Sequence, residues 1–288
     1  MIPKFEILIP NDLNEALNIL AEKKDGVKII AGGTDVVTGL QQGSKRFANS
    51  ELLIDINRIP ETKNIVHVGY KISIGSTETF SDILQSRLVE EHLPLLWKAC
   101  STIGSVQIRN RATIAGNFVN NAPCADTVPA LLVYNATIEV ESLSSKKEIS
   151  IGEFLEGPYK TKLGKDEIVT RINIPIPSKE LKGEFYKLGR RRAVAISRIT
   201  LAVLMSKRNS LIEEIRIASG AVTPIGIRFH ELEEFAKGKK VEDQFLKILS
   251  AKFGDNILRV TGLRWSSEYK LPVVQQMFYQ LLKEIEHG

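Results

Sequence analysis

The chain has 288 residues, 43% of them hydrophobic and 25% charged, a composition that excludes disordered, collagenous and fibrous proteins. Its 39 Lys and Arg against 34 Asp and Glu leave a charge of +5, spread along the chain apart from Arg190, Arg191 and Arg192, so no nucleic-acid partner is expected. The longest apolar runs, such as Ile199–Met205 and Val128–Tyr134, fall far short of the roughly 18–20 residues that a membrane span needs.

Asp12 and Glu15 read as a capping box, and Leu13, Ala16, Leu17 and Leu20 repeat at helical spacing, which predicts an amphipathic helix over Leu13–Lys23. Val27–Ala31 is a short apolar strand ending at Gly32-Gly33, and Leu52–Ile56 reads as a second strand after a polar connection. Ile65–Val68 and Lys71–Ile74 flank Gly69-Tyr70 as a hairpin, since glycine permits the positive φ of a tight turn. Helical patterns follow at Thr79–Gln85 and Val89–Ser101. Gly104–Asp126, rich in small and polar residues, reads as a functional loop. Next come a helix over Thr127–Val133, a hairpin of Thr137–Val140 and Glu148–Ile151, and a strand over Glu167–Ile174 closed by Pro175 and Pro177. The polar stretch Pro175–Lys182 reads as a domain boundary. Phe185–Leu188, Ile196–Ser206 and Leu211–Ser219 predict a three-stranded antiparallel meander, followed by helices at Phe229–Ala236, Val241–Lys252 and Glu268–Glu286. The mixed order of strands and helices predicts an α+β fold rather than a doubly wound parallel sheet.

Cys100 and Cys124 are too few for a disulfide framework or a four-thiolate cluster, and a reduced, cytoplasmic setting is expected. Met1–Asn11 has no basic segment followed by an apolar run, so no export leader is expected. His67, His92, His230 and His287 are scattered, with neither His-Glu-x-x-His nor Cys/His zinc spacing, and no metal site is expected. The G-x-S-x-G elbow, the Walker A loop and the G-x-G-x-x-G fingerprint are all missing, and no residue is assigned a catalytic role.

Two segments carry binding chemistry: Ala31-Gly32-Gly33-Thr34-Asp35 and Thr113-Ile114-Ala115-Gly116-Asn117. Small residues let backbone N–H groups approach an anion, and hydroxyl or amide side chains can bond phosphate oxygens. Standing alone, the Gly-Gly-Thr-Asp turn reads as an ordinary loop leaving a strand.

The combination is more specific. The run Ile103-Gly104-Ser105-Val106-Gln107-Ile108-Arg109-Asn110-Arg111-Ala112-Thr113-Ile114-Ala115-Gly116-Asn117, continued by Asn120-Asn121-Ala122-Pro123-Cys124-Ala125-Asp126-Thr127-Val128-Pro129-Ala130-Leu131, closely resembles the second FAD-binding segment of molybdenum hydroxylase flavoproteins. These are the medium subunits or domains of xanthine, carbon monoxide and nicotinate dehydrogenases. The first loop, with its preceding helix and strand, resembles the family's other pyrophosphate-binding segment. The likeness extends to Phe185–Ser197, Thr223-Pro224 and Arg264-Trp265-Ser266-Ser267-Glu268-Tyr269, and so to nearly the whole chain.

The resemblance implies an FAD-binding fold of the vanillyl-alcohol oxidase (PCMH) type over 1–176, with α/β subdomains at 1–57 and 58–176, and a C-terminal α/β domain over 177–288. It implies noncovalent FAD, its pyrophosphate lying between Ile30, Ala31, Gly32, Gly33, Thr34, Asp35 and Val36 on one side and Thr113, Ile114, Ala115, Gly116, Asn117 and Asn120 on the other. Asn117 is expected to donate its amide to the pyrophosphate while its carbonyl accepts a backbone N–H. A carboxylate repels phosphate, so Asp126 is carried over to a ribose hydroxyl and Asp35 to shaping the loop. Ile103 aligns beside adenine, Val169 against the isoalloxazine and Lys187 near the flavin; Val169 also reads as strand core and Lys187 as a solvated charge. Ala115 stands where the family usually has the first glycine of Thr-Ile-Gly-Gly-Asn, which requires an ordinary backbone conformation or a displaced phosphate.

By the same resemblance the chain is the FAD subunit of a three-part molybdenum hydroxylase. It would take electrons from 2Fe–2S clusters of an iron–sulfur partner and pass them to NAD or another acceptor, while a large subunit holding the molybdopterin cofactor hydroxylates the substrate. Two cysteines cannot supply the extra cluster that hydroxybenzoyl-CoA relatives carry in this subunit. Ala193-Val194-Ala195 has no acid where some relatives carry one, which counts against NAD. The segment Arg190–Ser197 points to a purine or other N-heterocycle as substrate. The alternatives are a carbon monoxide dehydrogenase medium subunit and a stand-alone flavin-dependent reductase or oxidase.

Overall fold

A computed structural model of the chain describes residues 5–23, 25–47, 49–191 and 194–287. Three short strands, β1 (Glu6–Leu8), β2 (Val27–Ile30) and β3 (Leu52–Asp55), form a parallel sheet in the order β1-β3-β2. The crossovers are α1 (Leu13–Lys23) and α2 (Val36–Gln41). Helix α1 buries Leu13, Ala16, Leu17 and Leu20 beside Leu52 and Ile54, the stripe that its apolar spacing predicts. Strand β1 and helix α2 go beyond the sequence expectation, which has only a polar connection after the first loop. The six residues of α2 bury one side chain, Leu40, too little periodicity to register.

The hairpin β4 (Ile65–Val68) and β5 (Lys71–Gly75) turns at Gly69, whose φ is +60°. Six short helices follow: α3 (Phe80–Gln85), α4 (Arg87–His92), α5 (Pro94–Ser101), α6 (Val106–Arg109), α7 (Ile114–Asn120) and α8 (Thr127–Val133). The single helix expected over Val89–Ser101 is divided, because Pro94 has no N–H to give the preceding turn and starts a new helix instead. Nor is Gly104–Asp126 an open loop. Ser105 accepts the Ile108 N–H and Thr113 that of Gly116, and these hydroxyl caps start α6 and α7.

The chain returns as β6 (Thr137–Glu141), β7 (Lys146–Ser150), α9 (Ile151–Phe154), the small hairpin β8 (Leu155–Gly157) with β9 (Lys160–Thr161), and β10 (Ile168–Pro175). An antiparallel sheet results, in the order β4-β5-β10-β6-β7, with a bulge in β10 between Val169 and Arg171.

The expected meander is present as β11 (Lys182–Gly189), β12 (Ser197–Arg208) and β13 (Leu211–Gly220), but the two-residue strand β14 (Ile227–Arg228) makes this sheet four-stranded. Helices α10 (His230–Ala236), α11 (Asp243–Thr261) and α12 (Ser267–His287) complete the chain. Strand β12 is apolar almost throughout because both of its faces are covered. Ile199, Leu201, Val203 and Met205 join the core that includes Phe253 and Phe278 of α11 and α12, while Ala202 and Leu204 join the core that includes α8. Helix α11 runs on past Lys252, where the sequence reading ends it: Gly254 breaks the apolar spacing but lies against Gln275 of α12, and the helix closes at Gly262 with φ +65°. Among the described residues, no helix is long and apolar enough to cross a membrane.

Candidate functional site

The loop leaving β2 and the first turn of α7 face each other across a cavity of about 420 Å³. Gly32 is what lets them meet: a Cβ there would lie 1.9 Å from the carbonyl oxygen of Arg111, so only glycine permits this approach. Gly33 turns the chain at φ +73°. The carbonyl of Ala31 accepts from Asn57 Nδ2 at 2.7 Å, and the carbonyls of Gly33, Thr34 and Asp35 accept from Val37, Thr38 and Gly39 of α2. The N–H groups of Gly32, Gly33, Thr34 and Asp35, by contrast, have no acceptor among the described residues. Four successive unpaired N–H groups beside a cavity are an anion-binding arrangement.

The second loop is built differently. The N–H groups of its last four residues are already paired within the protein: Ile114 to the Glu78 carbonyl, Ala115 to Ser76, Gly116 to the Thr113 hydroxyl and Asn117 to the Thr113 carbonyl. Ala115 takes a helical backbone in the first turn of α7, so the missing glycine strains nothing. What this loop presents to the cavity is side chains. Asn117 Oδ1 accepts the Thr127 hydroxyl at 2.6 Å, not a backbone N–H as expected, and its amide nitrogen has no partner among the described residues. Asn120 Oδ1 accepts from the Arg46 guanidinium.

Thirteen of the seventeen residues expected at the cofactor line this cavity: Ala31 to Val36 of the first loop, Thr113, Ala115, Gly116, Asn117 and Asn120 of the second, with Ile103 and Val169. Four do not. Ile30 points instead toward Leu40 and Phe47, and Ile114 is fully buried in the central core. Asp126 and Lys187 bind each other at 2.7 Å, both side chains nearly buried. Ser197 also donates to Asp126, and Lys187 Nζ donates to the Thr102 carbonyl at 2.8 Å. Burial pushes the Asp126 carboxyl up, and Lys187 and Ser197 pull it back. Asp126 is thus engaged in an ion pair and absent from the cavity lining, and Lys187 is no solvated charge; it borders a neighbouring cavity of about 980 Å³ with Arg109 and Arg190. Asp35 does not shape its loop through a side-chain cap, since its carboxylate takes no N–H of α2. Burial raises that carboxyl, and the Arg46 charge opposes the shift. Arg192 and Ala193, which figured in the sequence reading, lie outside the described residues.

Sequence reasoning also missed part of the wall. Phe47, Phe80 and Leu163 add apolar surface, and Ser76 adds a hydroxyl that is buried, lines the cavity and has no hydrogen-bond partner. The only hint was the small polar run Gly75-Ser76-Thr77 at the end of a strand. An unpaired buried hydroxyl costs about 1–3 kcal/mol, so this cavity suits a ligand carrying acceptors. Unpaired donors on a polar side, apolar surface elsewhere and a volume in the usual ligand-site range together fit a dinucleotide.

Comparison with known proteins agrees. Residues 3–177 match the family described as the FAD binding domain in molybdopterin dehydrogenase, and residues 184–285 match the CO dehydrogenase flavoprotein C-terminal domain. The chain is 32% identical to the glyceraldehyde dehydrogenase medium chain of Sulfolobus acidocaldarius, over 98% of this chain and 99% of that protein. It is also 32% identical to the xanthine dehydrogenase FAD-binding subunit of Escherichia coli O157:H7, over 94% and 92%. Among solved structures, a chain of the carbon monoxide dehydrogenase of Hydrogenophaga pseudoflava superposes with a TM-score of 0.92 at 27% identity, over 100% of this chain and 99% of that one. The chain belongs to the FAD-binding medium subunits of the molybdenum hydroxylases, the family of the xanthine, nicotinate and carbon monoxide dehydrogenases.

Proposed function

We propose that this chain holds FAD noncovalently between its two glycine loops and serves as the electron-transfer subunit of a molybdenum hydroxylase complex. The observation that carries this reading is the set of unpaired donors around one cavity: the N–H groups of Gly32 to Asp35, the Asn117 amide and the Ser76 hydroxyl. These would hold the diphosphate, while Ile103, Phe80 and Val169 exclude water beside it. Among the described residues, no cysteine or histidine lines the cavity, which supports noncovalent binding. When bound, FAD supplies the redox chemistry, and no side chain of this protein needs to move a proton for it.

Electrons would arrive from 2Fe–2S clusters of an iron–sulfur partner and leave to NAD or another acceptor, with molybdopterin in a large partner subunit. The names of the relatives, medium chain and FAD-binding subunit, support this division of labour. A purine or other N-heterocycle as substrate rests on the likeness around Arg190–Ser197 alone; the relatives' names span glyceraldehyde, xanthine, nicotinate and carbon monoxide. The test is to titrate the purified chain with FAD and FMN and then precipitate it with acid. FAD should bind far more tightly than FMN and leave intact in the supernatant. A chain that binds no flavin, or flavin that stays with the pellet, refutes the reading.

A further inference from the structure

Among the described residues that line the cavity, Asp35 is the only one with a charged side chain. A diphosphate placed there adds negative charge next to a carboxylate, and burying such charge without a counter-ion is costly. The cation that the structure sets at the rim is Arg46, which lies in neither glycine loop. It sits in a short turn, Lys45–Phe47, whose last residue lines the cavity. Its guanidinium donates to Asn120 Oδ1, and Asn120 also lines the cavity. Its Cζ lies 4.1 Å from the centre of the Tyr159 ring.

Tyr159 is itself held in an unfavourable conformation. Its φ of +59° is in the left-handed region, rare for an aromatic residue and sustained only where the surroundings enforce it. The enforcement is visible: the Tyr159 N–H donates to the Asn121 carbonyl at 2.9 Å, and Asn121 Nδ2 donates to the carbonyls of Gly157 and Lys160. The hairpin of β8 and β9 is thereby tied to the end of α7, presenting the ring under Arg46. An arginine so placed has five N–H donors, of which Asn120 takes one.

We propose that Arg46 is a strap across the mouth of the cofactor cavity: it neutralises the diphosphate and, through Asn120 and Tyr159, links the lobe carrying the first loop to the lobe carrying the second. This rests on the proposed binding of FAD. Arginine suits the role better than lysine, because its planar fork stacks on an aromatic ring and pairs with phosphate together.

The experiment compares wild type, Arg46→Ala and Arg46→Lys as full chains, reading the dissociation constant and release rate of FAD by flavin fluorescence at increasing salt. Arg46→Ala should weaken binding about ten- to a hundredfold, speed release and flatten the salt dependence, while the melting temperature of the FAD-free chain falls only slightly because Arg46 is exposed. Arg46→Lys should keep the salt dependence and recover part of the affinity. Wild-type affinity in Arg46→Ala overturns the proposal, as does a loss of affinity that keeps the wild-type salt dependence, since a merely structural arginine would behave so. A wild-type chain that binds no flavin would instead sink the functional reading, and the strap with it.

Discussion

Replacing Asn117 by aspartate separates ligand binding from folding at a single position. In the structure Asn117 Oδ1 accepts the Thr127 hydroxyl at 2.6 Å while the amide nitrogen has no partner among the described residues. Asn117→Asp keeps an acceptor for Thr127, which begins α8, so the FAD-free chain should melt as wild type does. What is lost is one donor to a charged oxygen, worth about 1.5–3 kcal/mol. At 1.4 kcal/mol per decade the dissociation constant for FAD rises about ten- to a hundredfold. The new carboxylate, sharing the cavity with Asp35 and the diphosphate, weakens it further. Because a ligand stabilises the folded state by RT ln(1 + [L]/Kd), a hundredfold loss removes up to about 2.7 kcal/mol of FAD-dependent stabilisation. Titration calorimetry and thermal melts with and without FAD read the two effects apart. Wild-type affinity in Asn117→Asp would show that the second loop does not hold the diphosphate.

Three further outcomes are expected. Ser76→Ala should leave the FAD-free chain as stable as wild type or up to about 3 kcal/mol more stable, since it deletes an unpaired buried hydroxyl, while weakening FAD binding; a less stable FAD-free chain with unchanged affinity would contradict this. Lys187→Ala should cost about 3–5 kcal/mol in urea unfolding, because it strands the Asp126 carboxylate inside the protein; a loss under 1 kcal/mol would mean that the pair is not buried in solution. The raised carboxyl of Asp35 makes its ionised form unfavourable in the folded state, so its stabilising contribution is complete below the ordinary value of 3.8 and is lost as pH rises through the folded value. FAD affinity should follow the same direction, falling as Asp35 ionises beside the diphosphate, and a pH profile that Asp35→Asn does not flatten would refute the assignment.

Periodicity made α1, the hairpins and the long strands legible, and the Gly-Gly turn marked the first loop. What stayed hidden depends on partners far along the chain. Asp126 is carried over to a ribose hydroxyl by resemblance, and nothing in its neighbourhood shows that its carboxylate turns to Lys187 and Ser197, 61 and 71 residues away. Arg46 meets Asn120 across 74 residues, and no local pattern announces such a pair. Ile30 and Ile114 belong to the two segments that resemble the family's pyrophosphate-binding loops, yet one faces the opposite side of its strand and the other the core side of its helix.

The two loops share a composition of small and polar residues but would hold a diphosphate by opposite means, and this predicts which substitutions each tolerates. The first offers backbone N–H groups and depends on glycine geometry, since a side chain on Gly32 would strike the backbone of Arg111. The second has its N–H groups from Ile114 to Asn117 already paired, with Glu78, Ser76 and Thr113, and offers side chains, chiefly the Asn117 amide. A glycine there supplies no donor and no special backbone angle. Alanine at 115 therefore serves as well as the family's usual glycine, whereas the same exchange at Gly32 would force the two loops apart and open the cavity they enclose.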